Sequence, residues 1–182
     1  NPTVIWCCVV KSLETGNVWK FSGPDWYREF NDFIHTLDEG VEWIGHNAIS
    51  FDIPALVKLA RSPIQSSSVI DTLVLSYLYN PALEGGHSLE SYGIRLKYPK
   101  GGHSDWSKFS PEMSEYCERD LERTARVYNA LRTKMNTLGY SETSCKIEHD
   151  SRVLIDEQQR NGLWFDYEGA TSLLLDLRRK QT

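Results

Sequence analysis

Apolar and polar positions along this chain change period several times, and the changes set out alternating strands and helices. Residues 4–10 are a β-branched and aromatic run. The polar stretch Glu14-Thr-Gly-Asn17 separates it from a second short run at 18–21, a pattern that predicts a hairpin. After Pro24, the residues Trp26, Phe30, Phe33, Ile34 and Leu37 recur at helical spacing until Gly40 interrupts them. Residues 41–45 read as a third strand. The polar loop 46–50 then leads into a helix near Asp52, with Pro54 acceptable in its first turn.

Further along, residues 69–70 predict a short strand and 71–79 a helix ended by Asn80-Pro81. Residues 88–92 predict another helical turn, stopped by Gly93. Ser110-Pro111-Glu112 is a strong helix start, and Met113, Tyr116, Cys117, Leu121, Val127 and Leu131 carry one long helix towards Gly139. A helix from Ile147 to Asn161-Gly162 and a last one over 167–180, with a leucine face, complete the pattern. Strand and helix alternate as in an α/β protein. The leucine face at the end suggests a piece of a larger protein.

Composition narrows the class. With 182 residues, 40% hydrophobic and 25% charged, the chain matches one globular domain and excludes disorder, collagen and coiled coil. Its apolar runs fall far short of the roughly 20 residues that span a bilayer, and no basic and apolar leader opens it, so a soluble, unexported protein without membrane contact is expected. The net charge of −5 repels polyanions, so any nucleic-acid contact must be local. The one basic cluster, Arg95, Lys97, Lys100, His103 and Lys108, is interleaved with Tyr98 and Trp106 in a long loop over 95–109. It suits a single-strand groove, and equally a solvated loop. Cys7, Cys8, Cys117 and Cys145 lack metal-finger spacing and are expected to be reduced and structural. His87 and His103 are expected to bond locally rather than bind metal, and Trp6, Trp19, Trp26 and Trp43 to pack in the core.

Three residues stand out chemically. Tyr116 and Asp120, four apart on the long helix, project from one face. Asp52 follows a strand and loop that deliver it to the carboxyl edge of the sheet, where open α/β folds hold ligands. Taken singly, Asp120 reads as a solvated acid, Tyr116 as a core-edge residue and Asp52 as a helix N-terminal acid. Together, Asn47-Ala-Ile-Ser-Phe-Asp52 and Tyr116-Cys-Glu-Arg-Asp120 resemble the second and third motifs of the DEDD superfamily of 3′→5′ exonucleases, in the branch ending in Tyr-x-x-x-Asp. His46-Asn47, Phe51-Asp-Ile-Pro-Ala-Leu56, Asp71-Thr-Leu-Val-Leu-Ser76, His87-Ser-Leu-Glu, Gly93 and Arg95-Leu96 are similar to the proofreading domain of short-tailed-phage, family A DNA polymerases. Ile147-Glu-His149, Gln159-Arg-Asn-Gly162 and Phe165-Asp166 resemble the first helices of the polymerase portion.

The resemblance implies an α/β, ribonuclease H-like three-layer exonuclease fold, a mixed sheet flanked by helices. It implies a 3′→5′ exonuclease domain over 1–140 and the helical start of the polymerase region over 141–182. Two divalent ions, Mg²⁺ or Mn²⁺, would act on a phosphodiester by two-metal logic. Asp52 and Asp120 would be metal ligands, with Tyr116 as the third catalytic residue, orienting the attacking water. Asn47, His46 and Phe51 would bind substrate, Asn47 at the terminal nucleotide. The partners implied are the 3′ end of single-stranded DNA and the polymerase portion of the same parent chain, in the cytoplasm of a phage-infected or bacterial cell. The family's first motif, Asp-x-Glu on a central first strand, has no counterpart, the only early acid being Glu14. That strand and two of four carboxylates are therefore expected to be missing, exposing backbone groups on both neighbouring strands. A non-catalytic remnant that binds single-stranded DNA or scaffolds the polymerase is the alternative, and an RNA-trimming enzyme of the same fold a third. Asp52 and Asp120 are expected to share a metal position with Tyr116 nearby. Replacing either acid with Ala is expected to spare folding, because it removes one of two like charges.

Overall fold

The computed structural model describes residues 2–99 and 101–181, so Lys100 of the basic cluster lies outside the described residues. The hairpin forms as β1 (Cys7–Lys11) and β2 (Val18–Ser22), paired antiparallel with Cys7 opposite Ser22. Helix α1 (Trp26–His35) packs Trp26 and Phe30 beneath it, and Phe30 meets Phe21 edge to face at 5.3 Å between ring centroids. The third strand, β3 (Trp43–Gly45), leads through the loop into α2 (Asp52–Ala60). A 3₁₀ turn over Ser66–Ser68 precedes β4 (Val69–Asp71) and α3 (Thr72–Tyr79). Then come α4 (Leu89–Arg95), α5 (Pro111–Thr137), α6 (Glu142–Asn161) and α7 (Tyr167–Gln181). Ser88, Ser110 and Ser141 cap α4, α5 and α6, each hydroxyl accepting from the backbone N–H three residues on.

The expected single mixed sheet is not formed. The described strands make two sheets of two, β1 with β2 antiparallel and β3 with β4 parallel. A cavity of about 480 Å³ lies between them, lined by Cys7, Cys8, Val9 and Val10 of β1 and by Trp43, Ile44 and Gly45 of β3. No described strand pairs with the facing sides of β1 and β3, so the two sheets are joined through α5, which packs on both. One apolar core, including Phe21, Phe30, Ile49, Ile53 and Val69, lies among α1, α2 and the strands. A second, built on Leu75, Tyr92, Val127, Leu131 and Met135, joins α3, α4 and α5.

Three local expectations change. Gly93 does not stop α4 but lies within it, because a Cβ there would sit 2.8 Å from the Tyr98 carbonyl oxygen and 3.1 Å from Arg123 Nε. Helix α6 starts at Glu142, five residues before Ile147, on the Ser141 cap. Trp6 lies outside the core and donates its indole N–H to the Trp106 carbonyl at 3.1 Å, whereas Trp26 is buried and Trp19 and Trp43 pack against the core. His87 bonds Ser76 Oγ at 2.7 Å, and His103 bonds the Asp105 carbonyl at 2.7 Å, both locally. Helix α7 buries none of its described residues. Among the described residues no helix is long and apolar enough to cross a membrane.

Candidate functional site

The loop between β3 and α2 is shaped by one buried acid. Asp71, at the end of β4 and 2% exposed, accepts from the Asn47 N–H at 2.7 Å and the Ile49 N–H at 3.1 Å. It also caps α3 through the Leu73 N–H at 2.9 Å. These bonds hold Asn47 at φ 60, a left-handed conformation that Asn tolerates better than most residues. Next to it, His46 Nδ1 bonds Thr72 Oγ1 at 2.9 Å, and burial lowers the imidazole pKa below its ordinary value. Phe51 is 56% exposed, and Asp52 follows it as the first residue of α2.

Helix α6 supports the same region from behind. His149 Nε2 accepts the Asp71 N–H at 2.8 Å while its Nδ1 faces the Cys145 carbonyl at 2.7 Å, which fixes the neutral tautomer with the proton on Nδ1. The Arg152 guanidinium donates to Ser50 Oγ, its Nε at 2.9 Å.

Asp52 and Asp120, distant in sequence, line the same cavity, together with His46, Phe51, Cys7, Cys8 and Cys117. Asp52 is exposed at the cavity mouth, yet the apolar walls around it and the charge of Asp71 push its carboxyl up to about 6, against the opposing pull of a backbone N–H. A carboxyl pKa raised on folding means that the native state holds its proton more tightly. The contribution of Asp52 to stability therefore falls as pH rises from about 4 to about 6 and is level on either side. Because solvent screens an exposed group, Asp52→Asn is expected to raise stability at pH 7 by only about 1 kcal/mol, with no gain at pH 3.5, by urea denaturation at both pH values.

The Asp120 carboxylate is held by Arg123, whose Nη1 lies 2.6 Å from Oδ1 with the guanidinium essentially fully buried. Arg123 Nε donates to the Tyr98 carbonyl at 3.3 Å, and Nη2 has no partner among the described residues. The expectation that Asp120→Ala spares folding is thereby reversed, since that change strands a buried cation. Tyr116, one turn earlier on α5, meets Trp106 edge to face at 5.3 Å and His103 at 6.1 Å, and is not among the residues lining the cavity.

Hard oxygen donors such as Asp52 and Asp120 suit Mg²⁺ or Mn²⁺. The donor set nonetheless does not fit a two-ion site. Asp120 already shares one oxygen with Arg123, and among the described residues no group of three or more His, Cys, Asp or Glu side chains is placed to hold a metal ion. The thiols beside the acids are shifted too. Burial pushes Cys8 up to about 12, with the charges of Asp52 and Cys117 adding to it. The hydrogen bond with Cys7, then burial, raises Cys117.

Sequence reasoning missed Asp71 and Arg123 as parts of this region. Asp71 was legible as a helix start and as the first residue of a segment similar to the proofreading domain, with no role of its own. Arg123 carried a signal in its spacing, three residues after Asp120 on the same helix face.

No protein-family model matches the chain. It is similar to the DNA-directed DNA polymerase of Escherichia phage T7, 25% identical over 95% of this chain and 34% of that protein. The DNA-directed DNA polymerase of Enterobacteria phage T3 is likewise 25% identical, over 97% of this chain and 33% of its own length. The chain thus spans about a third of the length of these curated relatives. It is related to a segment of phage DNA polymerases.

Proposed function

We propose that the chain is the 3′→5′ exonuclease-type segment of a phage family A DNA polymerase, with a ribonuclease H-like architecture, and that it receives the 3′ end of single-stranded DNA. The observation that carries this reading is that Asp52 and Asp120 both line one cavity, with His46 and Phe51 of the loop before α2, in a chain similar to phage polymerases over nearly its whole length. In this reading Asp52 and Asp120 would be two of the ligands of a Mg²⁺ or Mn²⁺ site whose further donors are not among the described residues. Asn47, His46 and Phe51 bind substrate, Asn47 at the terminal nucleotide, and Tyr116 orients water. The polymerase portion of the same parent chain is the protein partner, in the cytoplasm of the infected cell.

The shortage of donors and the Arg123 pairing favour a second outcome for the chain by itself: it binds single-stranded DNA with little cleavage. A 5′-labelled single-stranded oligonucleotide, titrated with Mg²⁺ and then Mn²⁺, tests both. The 182-residue chain is expected to retain the oligonucleotide and shorten it slowly or not at all. A chain extended upstream by a strand ending in Asp-x-Glu is expected to remove 3′ nucleotides in the presence of Mg²⁺, and Asp52→Asn in that longer chain to abolish the removal. Equal rates from the short and extended chains would sink the assignment of the metal ligands, and no shortening by either would sink the nuclease reading.

A further inference from the structure

Cys7 and Cys117 are 110 residues apart in sequence, yet their sulfurs lie 3.7 Å from each other. Side chains alternate along β1, so Cys7 faces α5 while its neighbour Cys8 packs against the core. Cys117 sits on α5 one turn before Asp120, and both thiols line the cavity shared by the two acids. The pair is partly buried and its thiols are free. Closing the remaining gap to the roughly 2.05 Å of a disulfide asks for a shift of less than 2 Å, within the reach of side-chain rotation.

We propose that Cys7 and Cys117 form a reversible dithiol–disulfide site whose co-reactant is a small hydroperoxide. One thiol attacks the O–O bond of hydrogen peroxide, becoming a sulfenic acid as the first water leaves. The other thiol displaces the sulfenic oxygen as the second water, so that two S–H bonds are lost, one S–S bond forms and two electrons pass to the peroxide. The bond fastens β1 to α5 beside Asp52 and Asp120. It closes a loop of most of the chain, the case in which a cross-link restricts the unfolded state most. The inference does not depend on the chain cutting DNA.

The test is direct on the wild-type chain. The protein is treated with a few equivalents of hydrogen peroxide, the remaining thiols are alkylated under denaturing conditions, and the digest is mapped by mass spectrometry without reduction. The expected result is one linked peptide pair joining Cys7 to Cys117, lighter by two hydrogens than the two free peptides, with Cys8 and Cys145 alkylated. The thermal midpoint should rise by roughly 10 °C and return on adding dithiothreitol. Cys117→Ser should remove both changes. As an oxidant-free check, phenylarsine oxide, which bridges two neighbouring sulfurs, should protect Cys7 and Cys117 from alkylation in the untreated wild type. Free Cys7 and Cys117 after oxidation, a bond from either to Cys8 or Cys145, or a bond between two chains would each overturn the proposal.

Discussion

Asp120→Ala is expected to destabilise the chain by about 3–5 kcal/mol, a size set by the partner it leaves behind. Arg123 is buried, one of its nitrogens already lacks a partner among the described residues, and Asp120 supplies the counter-charge at 2.6 Å. Removing the acid alone leaves an uncompensated guanidinium in the core. Adding Arg123→Met removes the charge while keeping most of the side-chain volume, so the double variant should recover most of the loss. Urea denaturation of the two single variants and the double forms a thermodynamic cycle that measures the coupling. If Asp120→Ala and the double variant are both within about 0.5 kcal/mol of wild type, the ion pair contributes little. This bears on any nuclease assay, because Asp120→Ala removes a candidate metal ligand and loosens the fold together. Asp120→Asn, which can still accept from Arg123, is the cleaner probe.

Asp71→Ala is expected to cost about 4 kcal/mol, and Asp71→Asn about 2 kcal/mol. The carboxylate accepts three backbone N–H groups, those of Asn47, Ile49 and Leu73, and truncation leaves all three short of a partner, that of Ile49 fully buried and the other two partly so. The amide keeps one acceptor oxygen but points an NH₂ at a donor, so at least one of the three bonds is lost. The same Asp-to-Asn change thus has opposite signs at two acids: it stabilises at Asp52, whose charge is crowded, and destabilises at Asp71, whose charge is fully used. Denaturation midpoints give the energies. Amide hydrogen exchange locates the damage, with Asn47 and Ile49 expected to lose protection in the Asp71 variants while the α5 amides keep theirs.

What could be read from the sequence was what neighbouring residues decide among themselves. The hairpin, α1, α5 and α7 follow from apolar period, serine caps and glycine punctuation, and they fall within a few residues of their expected bounds. The start of α6 was less visible because its first turns carry Glu142, Thr143 and Ser144 rather than an apolar stripe, and only the Ser141 hydroxyl marks it. Strand pairing is a non-local property. Nothing in the runs at 7–11 or 43–45 states which edge is bonded; only the missing central strand implied by the resemblance anticipated unpaired edges, and among the described residues β1 pairs with β2 alone and β3 with β4 alone. At the site, the spacing of Tyr116 and Asp120 placed them on one helix, and Arg123, three residues later on the same face, signalled an ion pair but not its burial, because arginine on a helix is ordinarily solvated. Gly93 shows the same limit: its lack of a side chain answers to Tyr98 and Arg123 rather than to a helix end.

The two bonds from α6 give that helix a mechanical role. His149 grips the backbone of β4 and Arg152 grips Ser50 in the loop before Asp52, so α6 acts as a splint laid across the segment that aims the acid. Displacing α6 by even a fraction of a turn draws on both attachments at once, whereas movement of α7, which buries nothing, draws on neither. The short connection over 138–141 ties α6 to α5. A proteolytic cut there would be felt about ninety residues upstream, in the aim of Asp52, while a cut before α7 would leave that aim undisturbed.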